Sequence, residues 1–130
     1  MNITADTHGG AACRRILLVD DSADAAFAMS MLLEALGHEV RTEHDGACAL
    51  NSIDDFKPDV VVLDIGLPGM NGFEVAREMR KRDATRDVLL LALTGYGSAA
   101  DRQTAIDAGF DHHLTKPVSL GDLEALLTRA

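Results

Sequence analysis

The chain reads as a doubly wound α/β domain built on a five-stranded parallel sheet. Three apolar runs, "ILLVD" (16–20), "VVVLD" (60–64) and "VLLLALT" (88–94), lack alternation of polar and apolar residues. Strands covered by helices on both faces have this pattern. Helical patterns separate the runs, and parallel neighbours require right-handed helical crossovers. With 130 residues, 47% hydrophobic and 25% charged, the chain fits one domain with a substantial core and has no room for a second.

Each element follows in order. The start, "MNITADTHGGAACRR", is small and polar; it is neither a signal peptide nor a membrane anchor, and residues 1–13 are expected to form a flexible tail before a domain over 14–130. After the first strand, "SADAAFAMSMLLEALG" opens at Ser22, a helix N-cap, and closes at Gly37, with Leu32, Leu33 and Leu36 as its core stripe. "HEVRTE" is a short second strand and "DGACALNSIDDF" a helix that Pro58 keeps from running into the third strand. "GFEVAREMRKR" puts Phe73, Val75, Ala76 and Met79 near one helical face, and "SAADRQTAIDAG" ends on Gly109. "HHLT" is the fifth strand and "SLGDLEALLTRA" the last helix, where the chain ends; no output domain is expected after it.

Twelve basic against 21 acidic residues give a formal charge of −9, which opposes approach to nucleic acid or anionic membrane. Cys13 and Cys48 have neither CxxC spacing nor a disulfide framework, as in a reducing cytosol, and Cys48 is expected to be a small buried apolar residue.

The polar residues that close the strands carry the chemistry. Asp20 and Asp21 end the first, Asp64 the third and Thr94 the fourth, while Lys116 follows the fifth. All five fall on one sheet edge. Open parallel sheets bind ligands outside the carboxyl ends of their strands, and in the common order 2-1-3-4-5 strands one and three are neighbours, which brings Asp20, Asp21 and Asp64 together. Two carboxylates about 4 Å apart repel by about 4 kcal/mol at an effective dielectric near 20, so three in one pocket call for a cation. An oxygen-only, open pocket suits Mg²⁺ better than Ca²⁺ or Zn²⁺. A carboxylate beside Mg²⁺ is placed to attack a phosphoryl group, with Thr94 as hydroxyl donor and Lys116 as point charge. Any one of these residues alone reads as a cap or turn residue; the constellation on four strands points to a site.

"ILLVDDS", "VVVLDIGLPGMNGFEVAREMR", "LLALTGYG" and "AGFDHHLTKP" resemble, in order and spacing, the receiver domain of two-component response regulators from about Arg14 to the C-terminus. The wording of the last two motifs is similar to receivers of hybrid sensor histidine kinases. The resemblance implies a flavodoxin-like (βα)5 fold and a phosphoacceptor that takes its phosphoryl group from a phosphohistidine. By the same resemblance Asp64 is the phosphoacceptor, Asp20, Asp21 and the Gly66 backbone carbonyl complete the Mg²⁺ site with it, Thr94 and Lys116 contact the phosphoryl group, and the Lys116–Pro117 bond is cis. The implied partners are a sensor histidine kinase or histidine phosphotransferase, with a further protein target. The expected setting is a cytoplasmic monomer or weak dimer without nucleic acid or membrane contact, catalysing only its own phosphorylation and dephosphorylation.

Departures from the family pattern sharpen the reading. His113 stands where the family places an inward-turning aromatic, so the switch pair is expected to be Thr94 and His113, with a pH-sensitive response as a hypothesis. A metal site on His112 and His113 is disfavoured because neighbours on a strand point to opposite faces. Gly66 offers no side chain to orient an attacking water and Tyr96 stands over the pocket mouth, which predicts slow phosphate loss; the plainer reading of Gly66 is a flexible turn. "GLPGMNG" lacks GxGxxG and GK[ST], so it reads as a loop with Met70 as a packing residue rather than a nucleotide site. Phe27, Met29 and Met31 make the first helix unusually apolar, either as core plus scattered surface residues or as a docking face continued by Val118 and Leu120. Two other function classes remain open on sequence: an aspartate-nucleophile phosphatase, which asks for Asp-x-Asp where this chain has Asp20-Asp21-Ser22, and a non-phosphorylated interaction module.

Overall fold

The structure, a computed structural model, describes residues 13–67, 69–95, 99–116 and 118–129. The expectations for the tail before residue 13, for Tyr96 and for the cis bond at Pro117 lie outside the described residues. The element order is β1 (Arg15–Val19), α1 (Ala23–Ala35), β2 (Glu39–Glu43), α2 (Gly46–Phe56), β3 (Val60–Asp64), α3 (Gly72–Lys81), β4 (Leu89–Thr94), α4 (Ala99–Ala108), β5 (His112–Thr115) and α5 (Leu120–Arg129). All pairings are parallel and the strand order is β2-β1-β3-β4-β5. The sheet and its order match the sequence-based expectation. A 3₁₀ turn, Asp83–Thr85, was not anticipated; it carries the chain from α3 toward β4.

Successive residues of the central strands enter two different cores, which is why no alternation shows in the sequence. Leu17, Val19, Val61, Leu63, Leu90 and Ala92 pack with Ile53 of α2, Val75 and Met79 of α3 and Ala105 of α4. Ile16, Leu18, Val60, Val62, Leu91 and Leu93 pack on the other face with Ala26 and Leu33 of α1 and Leu123 and Leu127 of α5. Each fully buried aliphatic side chain contributes about 1.5–3 kcal/mol relative to exposure, so the two layers hold the sheet rigid beneath its polar edge.

The helix ends are set locally. Ser22 caps α1 by accepting from the Ala25 N–H, and the helix closes with His38 N–H to Leu33 C=O and Gly37 N–H to Glu34 C=O around Gly37 at φ 98°. Gly109, at φ 111°, ends α4 the same way, with Phe110 N–H bonded to Ala105 C=O. Asn71 and Glu74 form a reciprocal capping box that starts α3 immediately after the loop from Asp64.

Three packing expectations are corrected. Leu32 is 49% exposed, because the buried seam of α1 runs through Ala26, Met29 and Leu33 and position 32 lies about 100° away from 33 around the helix. Cys48 is exposed for the same reason: Ala49 and Ile53 face the core, and Cys48 turns to solvent. Met70 lies exposed on its loop, while its backbone carbonyl backs onto the start of α2 near Gly46.

Candidate functional site at the carboxyl edge of the sheet

Parallel pairing sets the site. Val19 pairs with Leu63 and Asp64 pairs with Leu93, so Asp20 and Asp64 emerge side by side one residue past and at the ends of their strands. Asp20, Asp21 and Asp64 each offer a carboxylate oxygen, and these oxygens lie within 4.8 Å of one another. Asp20 and Asp64 are only 4% and 6% exposed, whereas Asp21 faces solvent. Lys116, across β4, reaches back so that its Nζ lies 2.6 Å from Asp64 Oδ2 and 4.0 Å from Asp20 Oδ2. Its backbone N–H donates to the Thr94 carbonyl, which fixes the lysine at the end of β5.

Backbone groups satisfy the other carboxylate oxygens. Ser22 N–H donates to Asp20 Oδ1 at 2.9 Å, and Gly66 N–H donates to Asp64 Oδ1 at 2.8 Å. A Cβ at Gly66 would stand 3.5 Å from that same oxygen, so the position borders the Asp64 carboxylate directly. Thr94 is 2% exposed, and its Oγ1 has no hydrogen-bond partner among the described residues. A buried hydroxyl left unmatched beside a polar pocket costs about 1–3 kcal/mol and suits a site made to meet an incoming acceptor.

Charge is concentrated here. Burial raises the Asp20 pKa, against the Ser22 amide bond and Lys116, which lower it; Asp64 and Asp21 add to the rise. For Lys116, burial acts downward, but the hydrogen bond to Asp64 and the charges of Asp64, Asp20 and Asp21 together raise its pKa. The lysine therefore stays cationic and offsets one of three negative charges. The donor set is all oxygen and open on the Asp21 side, which fits a hard divalent cation such as Mg²⁺.

The structure thus brings together Asp20, Asp21, Asp64 and Lys116 and places Thr94 at the end of the adjoining strand. His112 is exposed and His113 half-buried on β5, paired with Leu91 and Ala92 respectively. One residue at this edge escaped the sequence reading. His44, after β2, hydrogen bonds through Nδ1 to the Asp20 carbonyl at 2.9 Å, and a single histidine in a turn carries no motif that would have flagged it.

A doubly wound sheet with an acidic pocket and a lysine at its carboxyl edge defines a phosphoryl-handling signalling domain. Residues 16–128 match the family model of the response regulator receiver domain, and the chain belongs to that family. It is 41% identical over 113 residues to the transcriptional regulatory protein TrcR of Mycobacterium tuberculosis, an alignment covering 87% of this chain and 43% of that protein. The chain spans less than half the length of that relative. Among solved structures, the Vibrio cholerae chemotaxis protein CheY4 superposes with TM-score 0.86 at 31% identity, covering 91% of this chain and 98% of that one. The receiver domain of a sensor histidine kinase from Pseudomonas aeruginosa, with a magnesium ion coordinated in its active site cleft, gives TM-score 0.83 at 31% identity over 91% and 97% of the two chains. The recognised family, the fold and the general role as a two-component receiver therefore stand. The phosphatase and interaction-module alternatives are not favoured. Among the described residues, no helix is long and apolar enough to cross a membrane.

Proposed function

We propose that Asp64 accepts a phosphoryl group from a phosphohistidine, in a pocket where Asp20, Asp21, Asp64 and the Gly66 carbonyl hold Mg²⁺. The observation that carries this reading is the meeting of three carboxylates within 4.8 Å with the Lys116 ammonium 2.6 Å from Asp64. Bound there, Mg²⁺ supplies positive charge for the phosphoryl oxygens during transfer. An Asp64 carboxylate oxygen forms the new bond to phosphorus as the bond from phosphorus to imidazole nitrogen breaks, leaving an acyl phosphate and the donor histidine. Lys116 then turns from the carboxylate to a phosphoryl oxygen, and the unmatched Thr94 hydroxyl donates to another. Removing Thr94 Oγ1 from its unpaired state gives the modified protein an interaction that the unmodified one lacks, and the half-buried His113 is the residue expected to move with it.

The donor is a sensor histidine kinase or a histidine phosphotransferase. Phe27 and Met31, 65% and 54% exposed one turn apart on α1, together with exposed Leu32, offer such a helical partner an apolar face beside the pocket. The protein turns over no metabolite and loses phosphate slowly, since Gly66 presents no side chain beside Asp64 Oδ1 to orient water.

Intact mass after incubation with acetyl phosphate and Mg²⁺ tests the proposal. A single phosphoryl adduct is expected, dependent on Mg²⁺ and lost in Asp64→Asn. No adduct from acetyl phosphate or from a phosphorylated kinase would refute it.

A further inference from the structure

The backbone of Asp20 is held from both sides by one corner of the fold. Its N–H donates to the Glu43 carbonyl at 3.0 Å, and its carbonyl lies 2.9 Å from His44 Nδ1. A carbonyl oxygen only accepts, so Nδ1 carries the proton, and the bond persists whether the ring is neutral or charged. The Asp20 side chain is fixed separately, by the Ser22 N–H on Oδ1.

The corner that makes these contacts is itself rigid. Val19 pairs with Glu43 at the end of β2, and Asp45, the residue after His44, caps α2 by accepting from Cys48 N–H at 2.7 Å. At Gly46 a Cβ would fall 2.6 Å from Val75 Cγ2, so the start of α2 is seated tightly against α3. His44 is thus presented from a fixed point between a paired strand end and a capped helix. The carbonyl it meets belongs to the peptide that joins Asp20 to Asp21, two of the three carboxylates of the acidic cluster. Asp21 is exposed, and the backbone of that peptide is the part of the fold that carries its side chain to the cluster.

We infer that His44 is a positioning residue for the divalent-cation site: its Nδ1–H fixes the Asp20–Asp21 peptide so that both carboxylates face the cavity shared with Asp64. The inference rests on the proposed reading of the acidic pocket. Groups that orient metal ligands without touching the metal change affinity by about 10- to 100-fold when removed in buried sites. The half-exposed setting of this bond places the effect nearer the loss of one hydrogen bond, about 5- to 10-fold.

Calorimetric titration of the protein with Mg²⁺ tests it, using wild type, His44→Ala and His44→Asn. The asparagine Nδ2 falls close to the position of the histidine Nδ1 and restores a donor without an ionisable ring. Expected are a dissociation constant about 5- to 10-fold weaker for His44→Ala, recovery to within about twofold in His44→Asn, and cooperative urea unfolding of both variants without Mg²⁺, which shows that each is folded before the titration. Equal Mg²⁺ affinity in wild type and His44→Ala would overturn the inference while leaving the pocket reading intact. Equal weakening in both variants would overturn it as well, since the donor would then not be what matters. Failure of the wild type to bind Mg²⁺ would bring down the pocket reading and the inference together.

Discussion

Replacing Asp20 by asparagine should stabilise the protein without Mg²⁺ and remove about half of the stabilisation that Mg²⁺ confers. Asparagine keeps an Oδ1 to accept the Ser22 N–H, so the substitution changes charge with little change in shape. Asp20 lies within 4.8 Å of two other carboxylates and 4.0 Å from the Lys116 ammonium. At an effective dielectric near 20, each repulsion is about 3.5 kcal/mol and the attraction about 4 kcal/mol, leaving about 3 kcal/mol unfavourable. Asp21 and Lys116 are well exposed, and screening reduces the net gain of the variant to about 1–2 kcal/mol. Mg²⁺ at 100 times its dissociation constant stabilises the wild type by about 2.7 kcal/mol, whereas a tenfold weaker site gains about 1.4 kcal/mol. Urea unfolding with and without Mg²⁺ therefore should show the variant ahead in chelator and level with the wild type in Mg²⁺. A variant less stable than wild type in chelator would refute the claim that the pocket is electrostatically overloaded.

Other parts of the fold give shorter tests. His38 Nδ1 accepts the Arg14 N–H at 3.0 Å, which only a neutral ring can do; burial first and the Arg14 guanidinium second hold its pKa below the usual 6.5, with Glu124 opposing. Stability should be full above about pH 6.5 and fall as the pH drops through that value toward the folded pKa; His38→Asn should flatten the urea midpoint between about pH 7.5 and 5.5. Lys116 behaves oppositely: its raised pKa keeps its contribution whole below pH 10.5 and loses it as pH rises through the folded value, so the alkaline unfolding profiles of wild type and Lys116→Met should converge there. Gly72→Ala would set a Cβ 2.4 Å from Ile65 Cα and 2.8 Å from the Asp64 carbonyl, backbone that cannot step aside cheaply. A loss of about 3 kcal/mol is expected in chemical denaturation, and a change below about 0.5 kcal/mol would show that this loop yields.

The architecture was legible because its signals are redundant. Continuous apolar runs, Ser22 and Gly37 around α1, Gly109 after α4 and Pro58 before β3 all say the same thing, and family resemblance supplied the strand order that periodicity alone does not give. What failed was finer than a whole element. Leu32 and Cys48 each sit one position from a buried residue, and on a helix that step is about 100° of rotation, enough to exchange core for solvent. A sequence shows which helix is apolar long before it shows which of two adjacent apolar residues faces inward.

The site divides along a similar line. Carboxylates and the lysine announce themselves because their charge is chemically specific and strand ends carry them to one edge. The groups that hold them in place do not. Gly66 N–H on Asp64, Ser22 N–H on Asp20 and the Glu43 carbonyl on the Asp20 amide use backbone groups available from any residue type; the first two are set by the local turn two residues along the chain, the third by the sheet register. His44 is intermediate: its side chain is chemically distinctive, yet its target is the Asp20 carbonyl just past β1, far away in sequence, so the contact depends on β1 and β2 pairing with Val19 opposite Glu43. A one-residue slip in that register would carry the histidine away from the Asp20–Asp21 peptide and disturb both carboxylates without altering a single residue of the acidic motif. Much of the precision of the pocket therefore resides in strand pairing, and substitutions that loosen β2, an edge strand with exposed Glu39 and Arg41, should reach the acidic pocket through His44 before they reach the core.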